Sequence, residues 1–356
     1  MTKLALLSAG KIGTAITALL GPTGDYRLTV VDSETAILAR ARTAGFETRA
    51  LDLADAAAVT QALRGHDVAL SACPYHLAPT IGAAARAAGV HYFDLTEDVA
   101  STRRIREIAR DAPTAFVPQC GLAPGFVSIA AYDLARRFES LRDVRLRVGA
   151  LPVYPTNALK YNLTWSTDGL INEYCNPCEA IHEGRRREVL PLEGLEHFSL
   201  DGIDYEAFNT SGGLGTLCET LAEKAEEVNY KTVRYPGHCA LVKFLAEELR
   251  LRLRRDVLKE VLESAVPMTT QDVVLVFCSL SGQKAGRLTQ ETYAKKVYAA
   301  EIGGRTWSAI QITTSAGICA MLDLVLGGKL AARGFVRQED ARLEDFLANR
   351  FGRHYA

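Results

Sequence analysis

Short apolar runs alternate with helix-patterned stretches through the first third of this 356-residue chain. The runs are Leu4–Ser8, Leu28–Asp32, Phe46–Leu51, Val68–Ala72, His91–Leu95 and Thr114–Pro118. Between them lie Thr14–Leu20, the Ala-rich Thr35–Ala44, Ala56–Leu63, Leu77–Ala88 and the charged Val99–Arg110. A strand apolar along its whole length is buried on both faces, and parallel neighbours need a helical crossover. The alternation therefore predicts an α/β fold that opens with a doubly wound parallel sheet.

After Gly125 the pattern changes. A helix is expected over Phe126–Phe138 and an alternating strand over Asp143–Gly149. Glu183-Gly184 and Asp201-Gly202 read as hairpin turns. Charged helices span Leu241–Leu262 with a break near Arg252. Strands are expected over Asp272–Ser279, Tyr293–Ile302 and Trp307–Thr313, then a helix over Ala316–Leu326. The predicted division is residues 1–123 as a dinucleotide-binding domain of Rossmann type, completed by C-terminal helices in 314–356. Residues 124–313 form a substrate-binding and dimerisation α+β domain with a mostly antiparallel sheet.

Composition narrows the function classes. Formal net charge is −1, and no basic stretch is interleaved with aromatics, so nucleic acid is not an expected partner. The first residues turn too soon into Gly10 for a signal peptide, and no apolar run reads as a membrane span. These readings lead to an expectation of the cytoplasm and no membrane partner. The eight cysteines are scattered, and Cys175 and Cys178 lack a second pair at metal spacing. No metal is expected.

Ser8-Ala9-Gly10-Lys11-Ile12-Gly13 lies between the first strand and the first helix. It is the dinucleotide fingerprint with Ser8 in place of its first glycine. Gly10 lets the backbone approach a pyrophosphate, Gly13 lets helix and strand pack closely, and the helix N-terminus attracts phosphate. Asp32 ends the second strand, where a carboxylate accepts from the ribose 2′-hydroxyl and repels a 2′-phosphate. NAD is therefore expected over NADP. Ala72, Cys73 and Pro74 end the fourth strand, on the ligand edge of such a sheet. Asp52 either reaches the adenine edge or caps the next helix.

The run Asn229–His238 gathers two cations, two phenols and an imidazole. As a strand over Asn229–Tyr235 broken by Pro236-Gly237, it turns Lys231, Val233 and Tyr235 to one face and Thr232 and Arg234 to the other. Arg234 is the candidate clamp for a carboxylate, or else part of an ion pair. A helix starting at His238 would add partial positive charge beside Arg234. His238 itself is either an acid/base or a helix-start residue. Asp94 and Thr96, with Glu97, follow the fifth strand, where a carboxylate could take a proton from an ammonium. Glu173 is a second carboxylate candidate beside Asn172, or else a structural ion pair. Gly121 lies in a tight turn suited to close approach of a nicotinamide.

These blocks resemble the saccharopine dehydrogenase-like oxidoreductases. The resemblance rests on His91–Asp98, Cys120–Gly125, Leu159–Ser166, Gly169–Tyr174, Tyr205–Thr210, Gly212–Leu214 and Asn229–His238. It implies an NAD-dependent dehydrogenase and a homodimer. Its narrower blocks are those of the branch that oxidises the ε-amine of lysine. Hydride would pass to the nicotinamide, and the imine would hydrolyse to ammonia and a semialdehyde that cyclises. Asp94, Glu173 and His238 are then the catalytic candidates, and Arg234, Thr96, Tyr161 and Asn172 the substrate-binding ones. Two alternatives stand beside this: a saccharopine- or carboxynorspermidine-type reductase acting on a secondary amine, and a non-catalytic dinucleotide-binding protein.

Overall fold

The computed structural model describes residues 1–356. The chain divides into two compact units, Met1–Phe126 with Gln311–Ala356, and Val127–Ile310.

In the first unit β1 (Thr2–Leu7), α1 (Lys11–Leu20), β2 (Tyr26–Asp32), α2 (Thr35–Thr43), β3 (Glu47–Ala50) and α3 (Ala56–Leu63) follow one another. Then come β4 (Val68–Ser71), α4 (Ala78–Ala88), β5 (His91–Asp94), α5 (Val99–Ile108) and β6 (Ala115–Val117). A short strand from the far end of the chain, Gly334–Phe335, pairs with β6. The result is a seven-stranded parallel sheet in the order 334–335, β6, β5, β4, β1, β2, β3. Leu4, Leu6, Val30, Val31 and Leu70 are wholly enclosed, as strands covered on both faces require. The strand order reverses between β1 and β4. A crevice opens past the carboxyl ends of the strands at such a reversal, and it places the Ser8–Gly13 turn.

The second unit continues α6 (Phe126–Ala135) into β7 (Ser140–Pro152), α7 (Thr167–Cys175), β8 (Cys178–His182), β9 (Arg185–Val189), β10 (Glu196–Leu200) and β11 (Ile203–Asn209). α8 (Leu217–Thr220), β12 (Ala225–Arg234), α9 (His238–Lys243), α10 (Arg255–Ala265), β13 (Asp272–Lys284) and β14 (Arg287–Tyr298) complete its main body. Its eight-stranded sheet runs β10-β11-β12-β7-β13-β14, with β8 and β9 attached to β12. Every pair is antiparallel except β12 with β7. Both hairpin turns stand where their sequences put them. Glu183-Gly184 and Asp201-Gly202 hold consecutive positive φ angles of 50 and 71° and of 53 and 75°.

Two expectations fail near residue 310. The predicted strand Trp307–Thr313 is instead the short strand Arg305–Trp307 followed by helix α11 (Ala309–Leu326). Its β-branched residues favour a strand locally, but the Asp272 carboxylate accepts from the amides of Ala309 and Ile310 and so caps a helix there. α11 is also long and apolar enough to cross a membrane, with a mean hydropathy of 1.6, against the sequence reading. In the fold 78% of it is buried inside the protein, as in a core helix. The break among the charged helices falls at Arg250, in a left-handed turn with φ 54°.

Candidate active-site residues

In the first unit the fingerprint residues converge at the carboxyl edge of β1, β2 and β4. The N-cap of α1 is Gly10, which has no side chain to cap the helix start. A Cβ on Gly10 would meet no atom within 4 Å, whereas one on Gly13 would sit 2.2 Å from the Ser8 carbonyl oxygen. The first glycine leaves an open approach, and the second allows the helix to lie against the strand. Ser8 adopts φ 66°, the left-handed conformation for which glycine is the ordinary choice. Lys11 is exposed and Ile12 half-buried within the first turn of α1. Asp32 is buried; its carboxylate accepts from the amides of Ala9 at 2.9 Å and Glu34 at 3.0 Å. It thus braces the turn, and each oxygen keeps a lone pair for a further donor. Ala72 donates its amide to the Leu7 carbonyl beside this turn. The Cys73 thiol, next to Pro74, points at the same carbonyl, and burial pushes its pKa up to about 12, so it is no nucleophile. Asp52 stands apart. It is exposed and accepts from the Ala54 amide, while Asp55 is the residue that caps α3.

These residues fit a dinucleotide: open backbone at Gly10, a helix N-terminus at the start of α1, and a braced carboxylate at Asp32.

Asp94 departs from the sequence reading. It is 2% exposed, and its oxygens accept from the Tyr92 hydroxyl at 2.8 Å, the Thr96 amide at 3.0 Å and the Gln119 amide at 2.9 Å. Its backbone carbonyl also accepts from the Cys120 amide. Burial pushes the carboxyl upward against these three donors. The residue clips the loop after β5 to the loop after β6, and its carboxylate has its partners inside the fold. Thr96 belongs to the same clip, its hydroxyl accepting from the Asp98 amide. Gly121 lies in the turn that Asp94 holds. Gly125, with φ 135°, closes that turn where a Cβ would lie 2.1 Å from the Gly121 carbonyl oxygen.

In the second unit Arg234 ends β12 and is 2% exposed. Its Nε donates to the Tyr174 hydroxyl at 3.0 Å and Nη1 to the Val233 carbonyl at 2.9 Å. Its guanidinium lies 4.8 Å from the centre of the Tyr161 ring. No carboxylate pairs with it and Nη2 has no acceptor. The reason lies in the register. Glu206 stands directly opposite Arg234 on β11, the usual seat of a cross-strand partner. Its carboxylate turns instead to the amides of Gly237 at 2.7 Å and Cys239 at 2.6 Å. This corrects the expectation of a free positive helix end beside Arg234. A helix does begin at His238, but a buried glutamate already caps it.

His238 is also enclosed. Its Nδ1 lies 2.8 Å from the Leu159 carbonyl, which can only accept, so Nδ1 carries the proton. Nε2 therefore accepts from the Tyr174 hydroxyl at 3.0 Å. Burial, then the Arg234 charge, push its pKa down to about 3. Neutral imidazole, phenol and guanidinium form one ordered chain whose last link is Arg234. Tyr161 and Thr164 are 1% and 3% exposed, and their hydroxyls lie beside one another. Glu173 is buried on α7 and acts electrostatically on Arg234, Tyr161, Tyr174 and Tyr230. Asn172 spends its side-chain oxygen on Asn176 at the end of α7. Lys231 and Tyr235 do lie on the other face, Lys231 bonded to Glu196 and Tyr235 to the Pro152 carbonyl. Sequence reasoning assigned no part to Tyr174, Thr164 or Glu206. Each matters through a partner far away in the chain, and no local pattern signals that.

A parallel sheet with a dinucleotide turn, followed by a second α+β unit, has the architecture of the dinucleotide-binding oxidoreductases. The chain belongs to the saccharopine dehydrogenase family. Residues 5–119 match the saccharopine dehydrogenase NADP binding domain and residues 121–351 the saccharopine dehydrogenase C-terminal domain. Among solved structures, the apo saccharopine dehydrogenase (L-Glu forming) of Saccharomyces cerevisiae is similar at 18% identity and a TM-score of 0.77, over 95% of this chain and 94% of that one. At that identity the likeness shows the fold. A probable dehydrogenase from Thermotoga maritima matches more loosely, at 12% identity and a TM-score of 0.47 over 99% and 94% of the two chains.

Proposed function

We propose that this protein oxidises the ε-amine of L-lysine with NAD. The observation that carries the reading is Arg234, a buried guanidinium whose cross-strand carboxylate is committed elsewhere. An unpaired buried charge costs several kcal/mol, roughly, so a site that keeps one is built for an anionic ligand. A carboxylate suits the guanidinium fork, and an amino acid brings one. Tyr174 and His238 are positioning residues: their ordered hydrogen bonds hold Nε and leave Nη2 for substrate. Asp94 and Thr96 hold loops. The nicotinamide, when bound, supplies the hydride acceptor.

For the cofactor, the amides at the start of α1 would hold the pyrophosphate, and Asp32 the adenosine ribose. A carboxylate in that place disfavours the 2′-phosphate of NADP, which supports NAD. In the overall reaction the ε-ammonium releases one proton, its carbon gives up hydride, and water converts the imine to the semialdehyde and ammonia. The semialdehyde cyclises to piperideine-6-carboxylate. The protein works as a homodimer through the sheet of the second unit. Supporting this, Phe198, Tyr205, Tyr235 and Phe277 form a ring cluster on one sheet face, of which only Tyr205 is fully buried.

Initial rates of cofactor reduction with L-lysine and with saccharopine, each with NAD and NADP, test the reading. Turnover of lysine with NAD is expected. Turnover of saccharopine alone would assign the chain to secondary amines, and preference for NADP would remove Asp32 as the discriminating residue.

A further inference from the structure

One long connection of the second unit, residues 153–166 between β7 and α7, holds no helix or strand. Loops of that length in a compact unit are commonly functional. Tyr154, Pro155, Thr156 and Ala158 in its first half are exposed, whereas Tyr161 and Thr164 are buried. The passage from outside to inside falls at Lys160, which adopts φ 49°. Glycine takes that conformation freely, but a side chain with a Cβ is crowded by its own backbone there. Such strain persists only where the surroundings hold the residue, and it gathers at ligand clamps.

Two contacts tie this point of the loop to one corner of the fold. Lys160 Nζ donates to the Pro236 carbonyl at 3.0 Å, and the Leu159 carbonyl accepts from His238 Nδ1 at 2.8 Å. Pro236 and His238 flank the turn between β12 and α9. Asn157 stiffens the loop from within: its carbonyl accepts from the Lys160 amide at 2.9 Å, and its Nδ2 donates to the Tyr161 carbonyl at 2.7 Å. The next side chain along, Tyr161, sets its ring 4.8 Å from the Arg234 guanidinium. The ties differ in setting, since His238 is enclosed and Lys160 is exposed.

We infer that Lys160 is a positioning residue, strapping the loop 157–161 to the corner between β12 and α9 so that the Tyr161 ring stays against Arg234. The inference takes Arg234 as the substrate anchor from the proposed function and adds what keeps that anchor covered. Without the outer tie, the His238 contact alone opposes opening of the loop. An open loop admits water to the guanidinium, which weakens its hold on any anion. Ground state and transition state lose that hold alike, so the loss falls on KM and not on kcat.

The test compares the intact wild-type protein with Lys160→Met, Lys160→Gly and Lys160→Arg. Steady-state kinetics with L-lysine and NAD should show KM raised about 3- to 10-fold in Lys160→Met at unchanged kcat, the scale of one exposed hydrogen bond from a charged group. Lys160→Gly should raise KM as much while melting at or above the wild-type temperature, because the backbone strain is gone. Lys160→Arg, which keeps a cationic donor, should recover most of the affinity. Hydrogen exchange read by mass spectrometry should show residues 157–161 exchanging faster in the Met and Gly variants, and not in Lys160→Arg. Unchanged KM in both variants that lack the ammonium, a fall in kcat alone, or exchange equal to wild type overturns the strap. A wild type inactive on lysine sinks the lysine reading instead, and the exchange comparison then decides the strap by itself.

Discussion

Two buried ionic side chains, one in each unit, look alike in the sequence and differ in the fold. Asp94 ends β5 and Arg234 ends β12, and both are 2% exposed. Asp94 accepts from three internal donors and holds two loops together. Arg234 is aimed by Tyr174 and closes no ion pair, because the glutamate across the ladder caps a helix instead. A buried charge met by several internal donors serves the architecture, and one held in place without an ion pair is a candidate for binding. Burial alone cannot tell them apart; a census of partners can.

The largest expected effect is on Arg234. Arg234→Ala should lower kcat/KM for lysine by about three orders of magnitude, the scale of removing one partner of a buried charged pair. Its melting temperature should stay within a few degrees of wild type. Steady-state kinetics beside a thermal melt decide this, and a variant that unfolds while the surviving fraction turns over normally would place Arg234 with the architecture. Asp94→Ala should do the reverse. It strands two buried amides and a phenol, at a cost of roughly 3 kcal/mol or more in stability, read by denaturant unfolding. Should that variant melt normally yet lose all turnover, Asp94 is chemistry after all.

His238 sharpens the comparison through pH. Its folded pKa, near 3, lies below the ordinary histidine value, so the unfolded chain binds the extra proton first as pH falls. The contribution of the neutral ring is fully present above about pH 6.5 and is lost below it at about 1.4 kcal/mol per pH unit, down to the folded value. His238→Asn should flatten that part of the stability curve. A ring proton resonance of His238 that titrates between pH 5 and 8 would refute the enclosed, neutral imidazole. The smallest effect belongs to Ser8. Ser8→Gly should stabilise the first unit by about 1 kcal/mol by relieving the left-handed conformation. Dinucleotide affinity, measured by fluorescence titration, should be unchanged.

Much of the first unit was legible locally. Its strands are apolar throughout and its helices Ala-rich, and the period of such patterns is a property of neighbouring residues. The Ser8–Gly13 turn and Asp32 could be read the same way, and so could the hairpins, because Glu183-Gly184 and Asp201-Gly202 carry their own turn chemistry. The strand alternation in Asn229–Tyr235 correctly set Arg234 and Lys231 on opposite faces. Illegible were the start of α11, decided by a cap from Asp272, and the short strand Gly334–Phe335, decided by an edge of the sheet formed by Ala115–Val117.

The sequence by itself determined the class of fold, the dinucleotide turn and the presence of a cation at the end of β12. Only the tertiary structure decided which charged groups remain open. Asp94 is closed by Tyr92 and by amides from two loops; Arg234 is left open by a glutamate that turns to a helix start. Periodicity is written in residues a few positions apart, whereas the satisfaction of a buried charge depends on donors and acceptors brought together from distant parts of the chain.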